Sequence, residues 1–179
     1  MAPCFLSPPD RRGTDSLKWS QYGPDVLPLW VADMDFPSPE PVLAALRGRI
    51  DHGVLGYPDA TLSPEAGAEG LREVLVERME RLYGWHVRPD ELVFVPGVVT
   101  GFNLACHALG EAGDAVLIQP PVYMPFLYAA KQAGLERRDA QLVLNSDGSY
   151  DIDWEAFEAG LTDRTRAFLL CHPHNPVGR

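Results

Sequence analysis

From residue 92 onwards, short apolar runs alternate with segments in which apolar residues recur at helical spacing. Such alternation is typical of βαβ units around a mainly parallel sheet. The predicted strands are "LVFV", "AVLI" and "RAFLLC", and the predicted helices are "VVTGFNLACHALGEAG", "VYMPFLYAAKQAG" and "WEAFEAGL". One further short strand is predicted within "LERRDAQLVLNSDGSYDID". Ligands of such sheets bind at the carboxyl ends of the strands, so the loops after these runs are the first candidates for a site.

The N-terminal third differs in composition and does not show this alternation. Residues 1–27 are rich in Pro, Gly and charge and predict an extended arm, and "LPLWVADMDF" predicts a short buried or edge segment. Two helices should follow. The first is predicted for "SPEPVLAALRGRI", with Ser38 as N-cap followed by Pro39. The second is predicted for "SPEAGAEGLREVLVERMERLYG", with Ser63 as N-cap and Gly84 as the residue that ends the helix.

Composition excludes several classes of function. The formal net charge of the 179 residues is -10 and no Lys/Arg stripe is present, which argues against nucleic acid and anionic membrane as partners. No apolar run approaches the length of a membrane span, and the first residues contain no signal-peptide core. Cys4, Cys106 and Cys171 are far apart and form no C-x-x-C pair. We therefore expect reduced thiols in a cytoplasmic protein.

Two strand-following loops contain candidate binding residues. In "VPGVVTG", Gly97 permits a sharp turn, and the helix that begins near Val98 could hold a phosphate on its free N–H groups. An ordinary tight turn between strand and helix explains the same residues. In "PPVYMPF", Tyr123 could cover the face of a flat ligand, or it could be a packing tyrosine.

Three other patterns favour structural interpretations. Asp33 and Asp35 in "DMDF" could act as paired acids, but a turn cap before Pro37 explains them better. His172 and His174 have a spacing that some metals use, yet no third ligand is near in sequence, so no metal site is predicted. Tyr57 in "GVLGYPD" is typical of a surface aromatic residue.

Taken together, these loops resemble the motifs of a known protein family. "HNPVGR" resembles the N-P-x-G motif of fold-type I pyridoxal-phosphate (PLP) enzymes, the aspartate aminotransferase superfamily. "WVADMDF", "GVLGYPD", "VPGVV" and "PPVYMPF", in that order, resemble its MalY/PatB-type cystathionine β-lyase (C–S lyase) branch. The resemblance runs from about Trp19 to Arg179. It implies a three-layer αβα fold with a mainly parallel sheet, in which residues 1–45 form an N-terminal arm and small-domain segment. Residues 46–179 would form the N-terminal half of the PLP-binding large domain.

The resemblance also implies roles for single residues. Asn175 would donate a hydrogen bond to the phenolic oxygen of PLP, next to the Schiff-base nitrogen, and so tune the pKa of the imine. Tyr123 would stack on the pyridine ring, and the backbone at Val98 and Val99 would hold the phosphate. Tyr57 would reach the cofactor phosphate of the neighbouring subunit, because family members are homodimers with shared active sites.

The implied reaction is β-elimination from S-substituted cysteines, which gives a thiol, pyruvate and ammonia. The segment around Ala32 and Asp33 would lie near this small amino-acid substrate. Two alternatives remain open: an aminotransferase of the same fold, and a non-catalytic PLP-binding or regulatory remnant.

The residues that the chemistry needs most are missing from this sequence. In the family the Schiff-base lysine lies in an S-x-x-K motif downstream of N-P-x-G, whereas the lysines here are Lys18 and Lys131, and neither lies in such a motif. No catalytic residue is therefore assigned. We expect the chain to be the N-terminal part of a longer protein, and to be inactive and poorly stable by itself because a half sheet leaves an unpaired edge and an open apolar face.

Overall fold

The structure is a computed structural model that describes residues 8–57 and 70–179. The chain divides into two compact units, residues 1–75 and residues 76–179, and each is considered by itself. The domain division predicted at residues 45 and 46 refers to the complete family fold and stays a prediction. No helix within the described ranges is long and apolar enough to cross a membrane.

The first unit contains helices α1 (Leu17–Ser20) and α2 (Glu40–His52) and the beginning of α3 (Leu71–Tyr83). The prediction of α2 is confirmed, although Pro39 rather than Ser38 is its N-cap. The helix ends because Gly53 adopts φ 77° and donates its N–H to the Ile50 carbonyl at 2.9 Å. The predicted cap at Ser63 lies outside the described residues.

The segment "LPLWVADMDF" forms no strand, so the prediction of a short buried or edge element is wrong. Its apolar side chains are exposed: Leu29 retains 85% of its accessible surface and Met34 retains 80%. Hydrogen bonds of its two aspartates, described below, determine its position instead of a strand ladder.

The second unit carries the end of α3, a 3-10 turn (Pro89–Glu91) and an alternating series of strands and helices. In chain order these are α4 (Val98–Leu109), β1 (Ala115–Ile118), α5 (Met124–Gln132), β2 (Glu136–Asp139), β3 (Leu142–Leu144), β4 (Tyr150–Ile152), α6 (Trp154–Gly160) and β5 (Thr165–Phe168). The predicted helices and the strands β1 and β5 are confirmed. Residues 135–153, where one strand was predicted, hold three, and Leu92–Val95 forms none.

A three-stranded parallel sheet organises this unit, in the order β2-β1-β5. In its register Leu117 of β1 lies opposite Arg138 of β2 and Phe168 of β5. Strands β3 and β4 form a separate antiparallel hairpin. Because β1 is paired on both edges and covered on both faces, all four of its residues are completely buried.

Side chains of β1 alternate between two helical layers, as the pleat of a strand requires. Val116 and Ile118 join a cluster with Cys106 of α4 and Phe126 of α5. Leu117 lies on the opposite face, against Gly160 at the end of α6. The sheet is thus covered by helices on both faces, which is the predicted αβα layering.

The close approach of α6 to β1 depends on Gly160. A Cβ at this position would lie 2.5 Å from Leu117 Cδ1, and Leu117 is completely buried. We expect Gly160→Ala to lower the free energy of unfolding by about 1–3 kcal/mol through overpacking, measured by urea unfolding. Gly48→Ala in α2 is the matched control, because nothing lies within 4 Å of its added Cβ. A Gly160→Ala protein as stable as the control would contradict this packing.

Candidate functional site

Three chain segments meet at one edge of the parallel sheet. Strands β1 and β5 are parallel neighbours, so the loops that follow them leave the sheet on the same side. Helix α4 precedes β1 through a short connection and runs back along it, so the α4 N-terminus lies at that side too. The predicted residues Val98, Val99, Tyr123 and Asn175 all belong to these segments.

The N-terminus of α4 is suited to an anion. Gly97 is its N-cap, with φ 113° and ψ 154°, and no side chain caps the helix. Its first intrahelical bond runs from Gly101 N–H to the Gly97 carbonyl at 3.0 Å, so the N–H groups of Val98 and Val99 precede the hydrogen-bonded ladder. A Cβ at Gly97 would meet no atom within 4 Å, which shows open space in front of the turn.

Tyr123 lies in the segment that follows β1. It is the N-cap of α5, and 45% of its surface is accessible. Phe126 in the first turn of α5 packs on Phe102 of α4 with ring centroids 4.9 Å apart. This contact packs α4 against the first turn of α5, the helix that Tyr123 caps.

Asn175 lies in a tight turn after β5. Its backbone N–H donates to Cys171 Sγ at 3.4 Å, and Gly178, with φ 75°, donates to the His174 carbonyl at 2.6 Å. The Asn175 side chain is exposed and has no hydrogen-bond partner within residues 8–57 and 70–179. Its amide is therefore available to a ligand.

His174 contributes to the framework of this turn. The sequence pattern had indicated no role for it, since no metal site was predicted there. Only 6% of its surface is accessible, and its Nε2 lies 3.2 Å from the carbonyl oxygen of Gln119, the residue after β1. His172 is exposed. The described part of the chain contains no cluster of His, Cys, Asp and Glu that could hold a metal ion.

Arg179 anchors the other end of the turn. Its guanidinium donates to the Tyr150 carbonyl and to the Asp151 carboxylate of β4, and its own carbonyl accepts the His174 N–H at 2.9 Å. The Asn145 amide and the Arg179 guanidinium both hold the pKa of Asp151 below its usual value. The β3–β4 hairpin therefore supports the turn that carries Asn175. Sequence patterns alone gave no sign of this role.

In the first unit, the two aspartates of "DMDF" pair with cations of the arm rather than capping a turn. Arg11 lies 2.9 Å from Asp33 and 3.0 Å from Asp35. Asp35 also accepts from Lys18 at 2.6 Å and from the Trp19 indole at 2.8 Å. These donors, Lys18 first, lower the pKa of Asp35 to about 2.

Ala32 is exposed and Tyr57 is fully exposed, and both belong to the first unit. Their predicted positions beside the substrate and beside a neighbouring cofactor stay predictions. The two lysines lie apart from the predicted cofactor contacts of their own units. Lys18 is held by Asp35 and by the Asp33 carbonyl at 2.8 Å, and Lys131 lies in the last turn of α5, about 12 Å along the helix from Tyr123.

The described geometry agrees with known proteins. The sequence profile of "Aminotransferase class I and II" matches residues 24–179. The chain belongs to the class I and II aminotransferase family. This confirms the superfamily to which the motif "HNPVGR" pointed.

Individual relatives place it further within the family. The chain is 42% identical over 176 residues to the cystathionine beta-lyase PatB of Bacillus subtilis, covering 95% of this chain and 43% of PatB. It matches cystalysin from Treponema denticola, whose structure contains pyridoxal 5'-phosphate, with TM-score 0.84 and 32% identity, over 100% of this chain and 45% of cystalysin. It matches a PLP-bound putative aminotransferase from Clostridium difficile with TM-score 0.84 and 33% identity, over 99% of this chain and 45% of the aminotransferase chain.

These proteins confirm the resemblance to cystathionine β-lyases and the PLP-dependent αβα fold. The chain spans less than half the length of each of the three relatives.

The hydrogen-bonded ion pairs of Asp35 predict that the stability of the folded chain depends on pH. Because its pKa is lowered in the folded chain to about 2, the stabilisation is present above the ordinary value of 3.8 and is lost as the pH falls from about 4 to 2. We expect Asp35→Asn to lower the urea midpoint at pH 7, with a difference from the parent that vanishes towards pH 2. Asp10→Asn is the control, since Asp10 has a single exposed ion pair at 3.8 Å. An Asp35→Asn effect that is independent of pH would refute the pairing.

Proposed function

We propose that this chain provides the phosphate, ring and phenolic-oxygen contacts of the PLP site in a C–S β-lyase of the cystathionine β-lyase type. The observation that supports the proposal is that the α4 N-terminus, Tyr123 and Asn175 all belong to segments at one sheet edge. Similarity to the lyase PatB at 42% identity supports the choice of reaction class.

The residues present fit this cofactor. The free N–H groups of Val98 and Val99, with the positive end of the α4 dipole, are suited to a phosphate dianion. The half-exposed ring of Tyr123 offers a flat apolar face to a pyridine ring. The unpartnered amide of Asn175 can donate from Nδ2 to a phenolic oxygen and stabilise that oxygen as an anion.

When bound, PLP withdraws electrons from the α-carbon of an amino acid, which allows a thiolate on the β-carbon to leave. The contribution of this chain is to bind and orient. Two helix N–H groups fix the phosphate, the Tyr123 ring fixes the plane of the pyridine, and Asn175 fixes its phenolic edge. With three different attachments the ring has one orientation, and this lowers the entropic cost of reaction.

The proton-transferring amine that the reaction needs is not assigned to either lysine. Lys18 donates to Asp35 and to the Asp33 carbonyl, and Lys131 lies at the far end of α5. We therefore propose that residues 1–179 alone bind the cofactor without a covalent bond and do not catalyse elimination. The complete reaction belongs to a protein that also supplies the lysine.

An aminotransferase of the same fold is the second candidate. The similarity to the putative aminotransferase from Clostridium difficile favours it, at 33% identity and TM-score 0.84. Asn175 and Tyr123 serve both reactions equally well, because each acts on the cofactor and not on the substrate side chain. A homodimer in which the exposed Tyr57 contacts the partner's cofactor, and a cytoplasmic location, belong to the same proposal.

The activity is tested with cystathionine. An intact protein that carries this chain should release pyruvate and free thiol, while residues 1–179 alone should release neither. Both preparations are assayed with excess PLP by coupled pyruvate and thiol detection. Turnover that requires a keto acid and releases no thiol would establish the aminotransferase instead. Pyruvate formation by residues 1–179 alone would contradict the proposed need for a further lysine.

Stacking by Tyr123 makes a second prediction. Tyr123→Ala should weaken PLP binding about tenfold, whereas Tyr123→Phe keeps the aromatic face and should stay within about twofold of the parent. Fluorescence titration of the apoprotein with PLP measures both. Tyr128→Ala is the matched control, because Tyr128 is equally exposed on the same helix but lies beyond its first turn. Equal losses for Tyr128→Ala and Tyr123→Ala would rule out stacking.

A further inference from the structure

We propose that His174 is a positioning residue: it ties the Asn175 turn, defined as residues 174–179, to the central strand β1 and so sets the direction of the Asn175 amide. The effect on cofactor binding rests on the proposed function, in which Asn175 contacts PLP. The tie itself rests only on contacts within this chain.

The side-chain contact joins residues 55 positions apart. His174 Nε2 lies 3.2 Å from the Gln119 carbonyl oxygen. A carbonyl oxygen accepts and cannot donate, so Nε2 carries the proton in this contact. Gln119 directly follows β1 and is itself buried. The acceptor therefore belongs to the residue that directly follows the completely buried strand of the unit.

The backbone of His174 closes the turn at the same time. Its N–H donates to the Arg179 carbonyl at 2.9 Å, and its carbonyl accepts from Gly178 at 2.6 Å. Three hydrogen bonds thus locate His174 relative to both β1 and the end of the turn. Since consecutive Cα atoms are about 3.8 Å apart, fixing His174 also fixes the starting point of the Asn175 side chain.

Asn175 depends on such support because its own side chain has no partner in the described parts of the chain. Its backbone N–H donates to a sulfur, Cys171 Sγ at 3.4 Å, which is a weak acceptor. Without the imidazole, the turn loses its side-chain link to β1. The amide would then sample several directions, and a ligand would have to order it.

The first test is a double-mutant cycle in the intact apoprotein, with PLP affinity as the measurement. His174→Ala and Asn175→Ala should each weaken binding about tenfold. If His174 acts through Asn175, adding His174→Ala to Asn175→Ala should change affinity less than about twofold. Fully additive losses would overturn the proposal, because they would show that His174 acts by another route.

Two further variants separate positioning from general damage. His172→Ala is the matched control, since His172 is an exposed imidazole two residues away, and it should bind PLP like the parent. His174→Gln keeps an N–H donor that can reach a carbonyl, so it should recover most of the affinity lost in His174→Ala. A His174→Gln protein that binds no better than His174→Ala would count against the hydrogen bond to Gln119.

The second test needs no cofactor. Because Cys171 Sγ accepts the Asn175 N–H, a loosened turn should expose the thiol, and alkylation at Cys171 should accelerate at least about threefold in apo His174→Ala. Peptide mass spectrometry follows each cysteine separately. Cys106, with 1% of its surface accessible, is the internal reference. Faster alkylation at Cys106 as well would indicate general unfolding and overturn the proposal.

The two tests distinguish the failure of this inference from the failure of the proposed function. A parent protein that does not bind PLP contradicts the proposed function, and the Cys171 rate then decides the positioning role alone. A parent that binds PLP, with an unchanged affinity and Cys171 rate in His174→Ala, contradicts the inference and leaves the proposed function intact.

Discussion

The parallel pairing of β1 with both β2 and β5 is the interaction on which the second unit depends. It buries "AVLI" completely, and it obliges the loops after β1 and β5 to leave the sheet at the same edge. The helices α4 and α5 pack on one face of β1 through Cys106 and Phe126, and they contact each other through Phe102 and Phe126. The candidate site is therefore a consequence of how the core is buried.

The Asn175 turn shows how rigidity and availability are combined. Cys171, His174 and Arg179 hold it through a sulfur contact, a carbonyl of the β1 loop and a carboxylate of the β3–β4 hairpin. These three residues are engaged in the framework of the turn, while the side-chain amide of Asn175 has no partner in the described chain. A polar group that is fixed in space but unpaired can bind a ligand without first breaking an internal bond.

Local patterns predicted the parts of the fold that local physics decides. Helices with apolar residues at helical spacing, the buried run of β1 and the turn "HNPVGR" could be predicted because a few neighbouring residues specify them. Leu92–Val95 has the composition of a strand, but strand formation depends on distant parts of the chain, and the structure assigns no strand to these residues. The pairs Arg11–Asp35 and His174–Gln119 span 24 and 55 positions, so no local pattern marks them.

The same contrast bears on the proposed cofactor contacts and on the two lysines. The proposed phosphate and ring contacts would need only a helix terminus and a helix cap, which are local features of α4 and α5. The proposed Asn175 contact would need β1 and β5, which the second unit also contains. Lys18, by contrast, is engaged with Asp33 and Asp35, where it holds the arm against the "DMDF" segment. Freeing its amine for chemistry would cost that segment two hydrogen bonds, so its structural role argues against a catalytic one.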